Sequence, residues 1–584
     1  MYNNIMSHKK TTKLIFLAVG DVLYDNGYKS RIFGEMKIVD WNQKFDKYFI
    51  SFEKKDSYQE NQRMIRKMEE DWGKSNWKAK IFSRHNQWKI DSIRDTWQLL
   101  DYLQEIKYEG GIIHAQSIYA CYMALQIKNR FKKTKVIFDM HGLVGPELIV
   151  QNKNIIIRWM TQYVENMCIK NADLLITASR SLKNYTQKRY NKKEVTALPC
   201  LADEKYFQKV DWENIQSKRK RFGINSDKPV ACYLGGMQTW QNFPRMIDFV
   251  KKNNLYFLVI TNEPNTADQM LRQSLAENDY LVLDLPHSQV YQYLQLADGG
   301  LLLRDKNELN RIAFPTKAAE YWLCGLPIIH NGTIDDIKNI AAGNNLGVDI
   351  SRENWKEWWR YYHKNSHNVK AECRQYALDN LIWKTRRQTL NNIYRQLAQP
   401  SIFYLITSGF WGGAQKYTWD LANYIKNKNC QVTIGFGSGE QSKLWKNKMA
   451  EKKIEITRFE HLQRNINPWR DILALYDIYT CLKKKSPDIV HISSSKAGIL
   501  GRVAARLVGM EKVFYTAHGW VFNEKIAIGK KWFYLLLEKI MQSWTDKIFC
   551  VSEFDRQAAL KYGFDRSKIK VIYNGIDEDK GNNK

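Results

Sequence analysis

The densest run of residues able to do chemistry lies between Arg304 and Pro327. It holds Arg304-Asp305, then Pro315-Thr316-Lys317-Ala318-Ala319-Glu320-Tyr321, and closes on Cys324-Gly325-Leu326-Pro327. Pro315 suits the first position of a helix, where its missing N–H costs nothing. The start of a helix offers unpaired N–H groups and positive potential to a phosphate. Lys317 adds a cation there. Glu320 follows three residues later on the same helical face and can accept hydrogen bonds from vicinal hydroxyls such as those of a ribose. On periodicity alone, an ordinary surface helix with an intrahelical Lys–Glu pair fits as well.

A second set of candidates comes in duplicate. IIHAQSIYACYMALQ…VIFDMHG places His114 and His141 27 residues apart, and DIVHISSSKAGILGR…VFYTAHGW places His491 and His518 at the same interval. In each copy a glycine follows the second histidine (Gly142, Gly519). An apolar helical stretch comes next, then an Asp-apolar-Ser run (Asp173 to Ser179, Asp546 to Ser552) and a closing strand that reaches Asp203 or Asp577. So many matched intervals imply a duplicated domain, because the period is far too long for a solenoid. His114 and His491 end strands, so each either faces a cleft or has a structural role.

The elements that must position these residues are legible between 229 and 350. VACYLGG, LYFLVIT, YLVLDL, GGLLLR and LPIIHNG alternate with helical segments of about ten residues, the pattern of βαβ units on a parallel sheet. Residues 50–100 are looser and read as charged amphipathic helix and loop. Residues 352–398 read as helical, and Pro400 opens a new βαβ series. The expected class is α/β, with domains at 1–208, 209–398 and 399–584. The third resembles the first, and the second copy is read as lacking a partner like the domain at 209–398.

Composition narrows the function classes. Nine cysteines with no CxxC pair read as reduced thiols rather than a disulfide frame or zinc site. His363 and His367 lie four apart without a third ligand, so no metal is expected. Asp577-Glu578-Asp579 reads as a solvated tail rather than a metal-binding triplet. The apolar stretch Leu14–Val19 is short and followed by a turn, so it reads as a buried strand rather than a signal peptide. No apolar run is long enough to span a bilayer. The net charge of +29 is spread along the chain, whereas a nucleic-acid module would concentrate it. With 20 Trp and 32 Tyr, diffuse basicity suits peripheral contact with anionic lipid headgroups. The cluster Trp355, Trp358, Trp359, Tyr361 and Tyr362 fits helix packing between domains better than membrane contact.

PTKAAEYWLCGLPII resembles the donor-site helix of the retaining glycosyltransferases of family four, which have the GT-B fold of two facing Rossmann-like domains. YLGGMQTWQN (Tyr233–Asn242) resembles that family's interdomain phosphate loop. FDMHG and TAHGW resemble the strand whose histidine faces the donor sugar, and SGFWGGAQKY (Ser408–Tyr417) the glycine-rich first loop. The resemblance covers nearly the whole chain, as one complete enzyme followed by the N-terminal half of another. It implies a GT-B-type pair of Rossmann-like domains plus a third.

It also implies that Glu320 holds the ribose, that His141 touches the sugar, and that backbone N–H groups of Gly235 and Gly236 face the diphosphate. Pro315, Thr316 and Tyr321 fall on the donor side. The family often has an acid eight residues before the helix glutamate, where this chain has Ile312, and often an Arg and a Lys in the phosphate loop, where residues 235–242 have neither. Arg304 and Lys317 are expected to supply that charge, with Asp305 in place of the acid; the alternative is a local Arg304–Asp305 pair. Gly412, Gly413, Lys496 and His518 are the candidates in the second module.

The leading expectation is transfer of a sugar from a nucleotide-sugar donor to a glycan or lipid-linked acceptor with retention, in surface polysaccharide synthesis. No metal or other cofactor is expected, nor is nucleic acid. The expected place is the cytoplasm, peripheral on the inner face of the plasma membrane, with a partner chain that could complete the second module. The alternative class is a non-catalytic scaffold that binds nucleotide sugar or glycan.

Overall fold

The computed structural model describes residues 12–575 except 21, 25, 40–44, 85–90, 151–153, 204–214, 223, 225–227, 429, 438–450 and 453. The extreme N-terminus, the expected boundary at 208/209 and the Asp577 triplet lie outside the described residues.

Three sheets follow one another along the chain, and each is wholly parallel. The first holds β1 (Thr12–Val19), β2 (Phe45–Lys54), β3 (Lys78–Arg84), β4 (Gly111–Gln116), β5 (Lys135–Met140), β6 (Leu174–Thr177) and β7 (Val195–Ala197), in the order 3-2-1-4-5-6-7. The second holds β8 (Val230–Leu234), β9 (Tyr256–Ile260), β10 (Tyr280–Leu283), β11 (Gly299–Leu302), β12 (Ile328–His330) and β13 (Gly347–Asp349), in the order 10-9-8-11-12-13. The third holds β14 (Ser401–Ile406), β15 (Gln431–Gly437), β16 (Glu455–Phe459), β17 (Ile489–Ser493), β18 (Val513–Ala517), β19 (Lys547–Cys550) and β20 (Ile569–Val571), in the order 16-15-14-17-18-19-20. These are α/β layers of the Rossmann type. The first two sheets share one compact unit that runs to Tyr394, and the third belongs to another that begins at Arg395.

Strand order reverses between β1 and β4, between β8 and β11, and between β14 and β17. In open parallel sheets that reversal opens a crevice beyond the carboxyl ends of the strands. The stretch 50–100, expected as helix and loop, holds much of β2 and all of β3. Ile50, Phe52 and Ile81 are buried there among helices that carry the charge.

The first and third sheets have the same strand order, and the repeated motif residues do the same work in each. The Asp173 carboxylate accepts from the Val136 N–H at 2.7 Å and ties the start of β5 to the turn before β6. The Asp546 carboxylate accepts from the Val513 N–H at 2.7 Å at the start of β18. Ser179 and Ser552 cap the helices that follow, accepting from Leu182 N–H at 2.8 Å and Asp555 N–H at 3.1 Å, the usual task of an N-cap serine. Ser117 and Ser494, at matched positions after β4 and β17, both have positive φ (84° and 75°).

Within the first unit the two sheets are held together by polar bonds. The Asp336 carboxylate accepts from the N–H groups of Arg180 (2.8 Å) and Ser181 (3.0 Å), capping a helix of the other sheet. Ser179 Oγ donates to the Ile312 carbonyl at 2.5 Å. Ile312 itself joins the apolar core of the first sheet. The final helix of this unit also returns to the first sheet. Asn391 Nδ2 donates to the Ile38 carbonyl at 3.0 Å, and Trp383 fills the space left by Gly34. Trp358 and Tyr362 of the aromatic cluster stack in parallel and are buried, while Trp355 packs on Phe249.

Candidate functional site

The crevice of the second sheet gathers most of the expected residues. β8 ends at Leu234 and the chain turns at Gly235, whose φ of +138° few side-chain-bearing residues adopt. A Cβ on Gly235 would meet Lys317 Nζ at 2.6 Å, so the glycine makes room for the lysine. Lys317 Nζ donates to Gln241 Oε1 at 3.1 Å and lies 4.2 Å from the centre of the Tyr233 ring. The Tyr233 hydroxyl donates to the Gly236 carbonyl at 2.6 Å, and the Met237 N–H donates to Glu263 Oε1 at 2.9 Å. Together these bonds shape the loop from Gly235 to Asn242.

Arg304, just past β11, is buried beside this loop. Its Nη1 donates to Asn310 Oδ1 at 3.1 Å and to the Trp240 carbonyl at 3.4 Å, while its buried Nε has no partner. Asn331 and Thr333 fix its backbone, both donating to the Arg304 carbonyl. Burial, and then the neighbouring Arg304, holds the Lys317 ammonium well below its usual pKa. Burial lowers the Arg304 guanidinium as well. Neither cation has a carboxylate within ion-pair distance among the described residues. Two buried basic side chains beyond the carboxyl ends of the second sheet's strands, both held by neutral partners, are an arrangement that an anion would complete.

The helix Thr316–Leu323 is buried on every side, which removes the surface-helix alternative. Lys317 and Glu320 do not pair. Glu320 Oε1 instead meets His287 Nε2 at 2.8 Å. Pro315 stands one residue earlier than expected, at the N-cap. Thr316 faces the first sheet, where a Cβ on Gly27 would lie 3.4 Å from its Oγ1.

Two expectations need correction, and one alternative is removed. Tyr321 is fully buried and its hydroxyl accepts from the Leu234 N–H at 2.9 Å, so it supports the loop from behind rather than facing the crevice. The Gly235 N–H is committed to the Ile260 carbonyl at 3.0 Å, which leaves only Gly236 of that pair to offer an N–H. Asp305 does not pair with Arg304. It is exposed and accepts from Asn242 Nδ2 at 2.5 Å, with Arg245 at 3.9 Å.

On the first sheet His141 follows β5 and remains partly exposed. Its Nε2 meets Gln116 Oε1 at 2.9 Å, and its ring lies 5.2 Å from that of Tyr28. Gln116 Nε2 in turn donates to Glu35 Oε2 at 2.8 Å. Below this, Arg31 grips Asp139 with two bonds of 2.8 Å. Burial pushes the Asp139 carboxyl up, but Arg31 and His141 outweigh it and hold it below the carboxylate range. Burial and the nearby Asp139 push Glu35 well above that range.

His114, expected either to face the cleft or to be structural, is wholly buried. Its Nδ1 meets the Tyr394 hydroxyl at 2.8 Å, and burial lowers its pKa to about 4. His491 is buried likewise, bonded to Thr516 Oγ1 at 2.7 Å, with its pKa lowered to about 3. Both are structural. Among the described residues Glu35, His114 and Asp139 have the spacing of metal ligands, but Arg31 already occupies their carboxylates.

Among the described residues the third sheet has no counterpart to the buried Arg304–Lys317 pair. Lys496 pairs with Asp471 at 2.5 Å and also donates to the Asn465 carbonyl. Burial lowers His518 to about 4, and its ring stands edge-on to Tyr417 at 5.1 Å. Gly412 caps the helix Gly413–Lys426, and no heavy atom lies within 4 Å of a Cβ built on Gly413. His287, Tyr233, Gln241 and Gln116 were not singled out from the sequence. The site residues they meet, His141, Glu320 and Lys317, lie 25 to 84 residues away, so no local motif marks them.

Comparisons with known proteins bear on the class of protein. Residues 411–580 match the family model described as Glycosyltransferase Family 4. The matched residues contain most of the third sheet. A UDP-Gal:alpha-D-GlcNAc-diphosphoundecaprenol alpha-1,3-galactosyltransferase of Escherichia coli is 41% identical over 120 residues, covering 20% of this chain and 31% of that protein. The O-antigen biosynthesis glycosyltransferase WbnH of Escherichia coli is 26% identical over 182 residues, covering 30% of this chain and 49% of that one. The chain thus spans between about a third and a half of the length of these relatives. Among solved structures, a glycosyltransferase from Rickettsia africae is 12% identical with a TM-score of 0.47, covering 66% of this chain and 98% of that one. Anabaena Alr3699/HepE in complex with UDP is 12% identical with a TM-score of 0.46, covering 65% and 99%.

Proposed function

We propose that this chain is a glycosyltransferase that moves a sugar from a nucleotide-sugar donor to a glycan or lipid-linked acceptor, with retention at the anomeric carbon, in surface polysaccharide synthesis. The observation that carries the reading is the pair of buried cations, Arg304 and Lys317, at the crevice of the second sheet. They lie against a glycine loop and next to Glu320, and they fit the diphosphate and ribose of such a donor. The family four match and the names of the relatives support the same class, and those names point to a diphospholipid-linked or glycan acceptor.

In this reading the acceptor hydroxyl attacks the anomeric carbon as the bond to the diphosphate breaks. The departing phosphate oxygen takes the hydroxyl proton on the same face. Arg304, Lys317 and the Gly236 N–H stabilise the charge that develops on the leaving group, while Glu320 and His141 position the donor. No metal or cofactor is invoked. The domains divide at 208 and 398, and 399–584 is a second N-type copy whose paired lysine and neutral histidine fit docking better than donor binding. The protein works at the inner face of the plasma membrane.

A scaffold that binds nucleotide sugar without turnover is favoured by one observation: Ile312 is core where the family often has an acid. The two readings separate in one assay of full-length protein with UDP-, GDP-, ADP- and TDP-sugars. The enzyme reading expects release of nucleoside diphosphate from one of them, and its loss in Glu320→Ala with the fold intact. Binding without release in the parent protein would favour the scaffold. No binding to any of the four would refute both.

A further inference from the structure

The helices that follow His141 and His518 carry an exposed apolar stripe at matched positions. On Ile155–Asn171, the side chains of Ile155, Trp159 and Tyr163 are 75%, 69% and 62% exposed. On Ile528–Ser543, Ile528, Trp532 and Leu536 are 76%, 61% and 60% exposed. Each set has i, i+4, i+8 spacing, which places it along one face of its helix. The inward faces correspond too: Glu165 and Cys168 are buried in the first copy, and Glu538 and Met541 in the second. Core packing therefore accounts for the inward residues and leaves the stripes without a partner among the described residues. Solvated helix faces are normally polar, and two copies that differ elsewhere have kept the same departure.

In a parallel α/β layer a crossover helix runs antiparallel to its strands, so its N-terminus lies at the carboxyl edge of the sheet. Ile155 and Ile528 therefore sit at the edge that bears His141 and His518. Basic residues accompany the stripes, with Arg158 and Lys170 on the first helix and Lys530, Lys531 and Lys539 on the second. Tryptophan beside aliphatic side chains, flanked by lysine and arginine, is the composition of a helix lying in the headgroup region of a bilayer. The chain's charge of +29 adds attraction to anionic lipid. The same charge opposes docking of a second copy, which would bring like charge to like.

We propose that both helices are docking faces for an anionic phospholipid bilayer, one in each copy of the repeated domain, so that residues 399–584 serve as a second membrane anchor. This goes beyond the catalytic reading and does not depend on it.

The test is co-sedimentation of the full-length protein with vesicles of phosphatidylcholine alone or with 30% phosphatidylglycerol, a composition chosen to be near ~30% anionic lipid so that lysine–lipid attraction is measurable. It uses three variants: Ile155→Glu/Trp159→Glu, Ile528→Glu/Trp532→Glu, and all four together. The substituted side chains are exposed, and the circular dichroism of each variant checks that the fold is kept. Each double variant should lower partitioning onto the anionic vesicles about tenfold or more, and the quadruple variant should not sediment with them. Equal binding to both kinds of vesicle would overturn the proposal. Unchanged binding of Ile528→Glu/Trp532→Glu would overturn the second anchor. Loss of self-association in lipid-free buffer, with vesicle binding intact, would make the stripes an interface between copies instead.

Discussion

Lys317→Met separates a site built to bind an anion from one built for stability. In the ligand-free protein the Lys317 ammonium is buried, with one neutral hydrogen-bond partner at 3.1 Å and one aromatic face at 4.2 Å. The hydrogen bond contributes about 1–1.5 kcal/mol and the ring about 1–2 kcal/mol. Burying an unpaired ammonium costs several kcal/mol, and the nearby Arg304 adds repulsion. Methionine fills similar volume without charge. The variant is therefore expected to be about 1 kcal/mol more stable than the parent when free, a rise in Tm of about 1 °C for a unit of this size.

Ligand binding should move the other way. A nucleoside diphosphate at about a hundred times its Kd stabilises the parent by about 2.7 kcal/mol. Loss of one charged hydrogen bond, about 2 kcal/mol, weakens binding about thirtyfold and leaves a ligand shift under about 1 kcal/mol. Differential scanning fluorimetry of both proteins, with and without UDP, GDP, ADP and TDP, reads both quantities. A variant that is less stable when free and keeps its full ligand shift would refute the reasoning, because Lys317 would then be a structural residue.

Other expectations follow from the same geometry. His491 has a pKa of about 3 against an ordinary 6.5, so below pH 6.5 the unfolded chain takes up a proton that the folded chain does not. Its contribution costs about 2 kcal/mol of stability between pH 7 and pH 5. His491→Phe should flatten the loss of stability on acidification by about that amount in urea titrations at the two pH values. Asp336→Ala removes the acceptor for two backbone N–H groups at a helix start and should cost about 2 kcal/mol by the same titration. Asp173→Ala and Asp546→Ala should each cost about 1–3 kcal/mol, since each leaves an N–H at the start of a strand without its side-chain acceptor. A near-zero effect in one of the pair would show that the matched motif does different work in the two copies.

The sequence made the strands visible because fully parallel sheets bury both faces, so VACYLGG or LYFLVIT appears as an unbroken apolar run. It made the duplication visible because its landmarks, Asp173 and Asp546 or Ser179 and Ser552, are strand clamps and helix caps that must keep their spacing. β3 was missed because KAKIFSR buries only Ile81 and Arg84, which leaves no apolar run to see. At the site, Arg304, Lys317 and Glu320 were legible from one stretch of chain. The inward role of Tyr321 was not, because a helix buried on every side has no polar face to set a register. His287 opposite Glu320, and Gln116 beneath His141, are pairings across 33 and 25 residues, and only folding brings them together. Ile312 read as a missing acid, and the structure shows it as part of the first sheet's core.

The most direct test of donor binding at the second sheet is amide hydrogen exchange of the full-length protein with UDP-, GDP-, ADP- and TDP-sugars. The account predicts that one of the four slows exchange at residues 235–242 and 316–320, and leaves residues 408–413 and 494–497 of the third sheet unchanged. Protection confined to the third sheet, or none with any of the four donors, would contradict it.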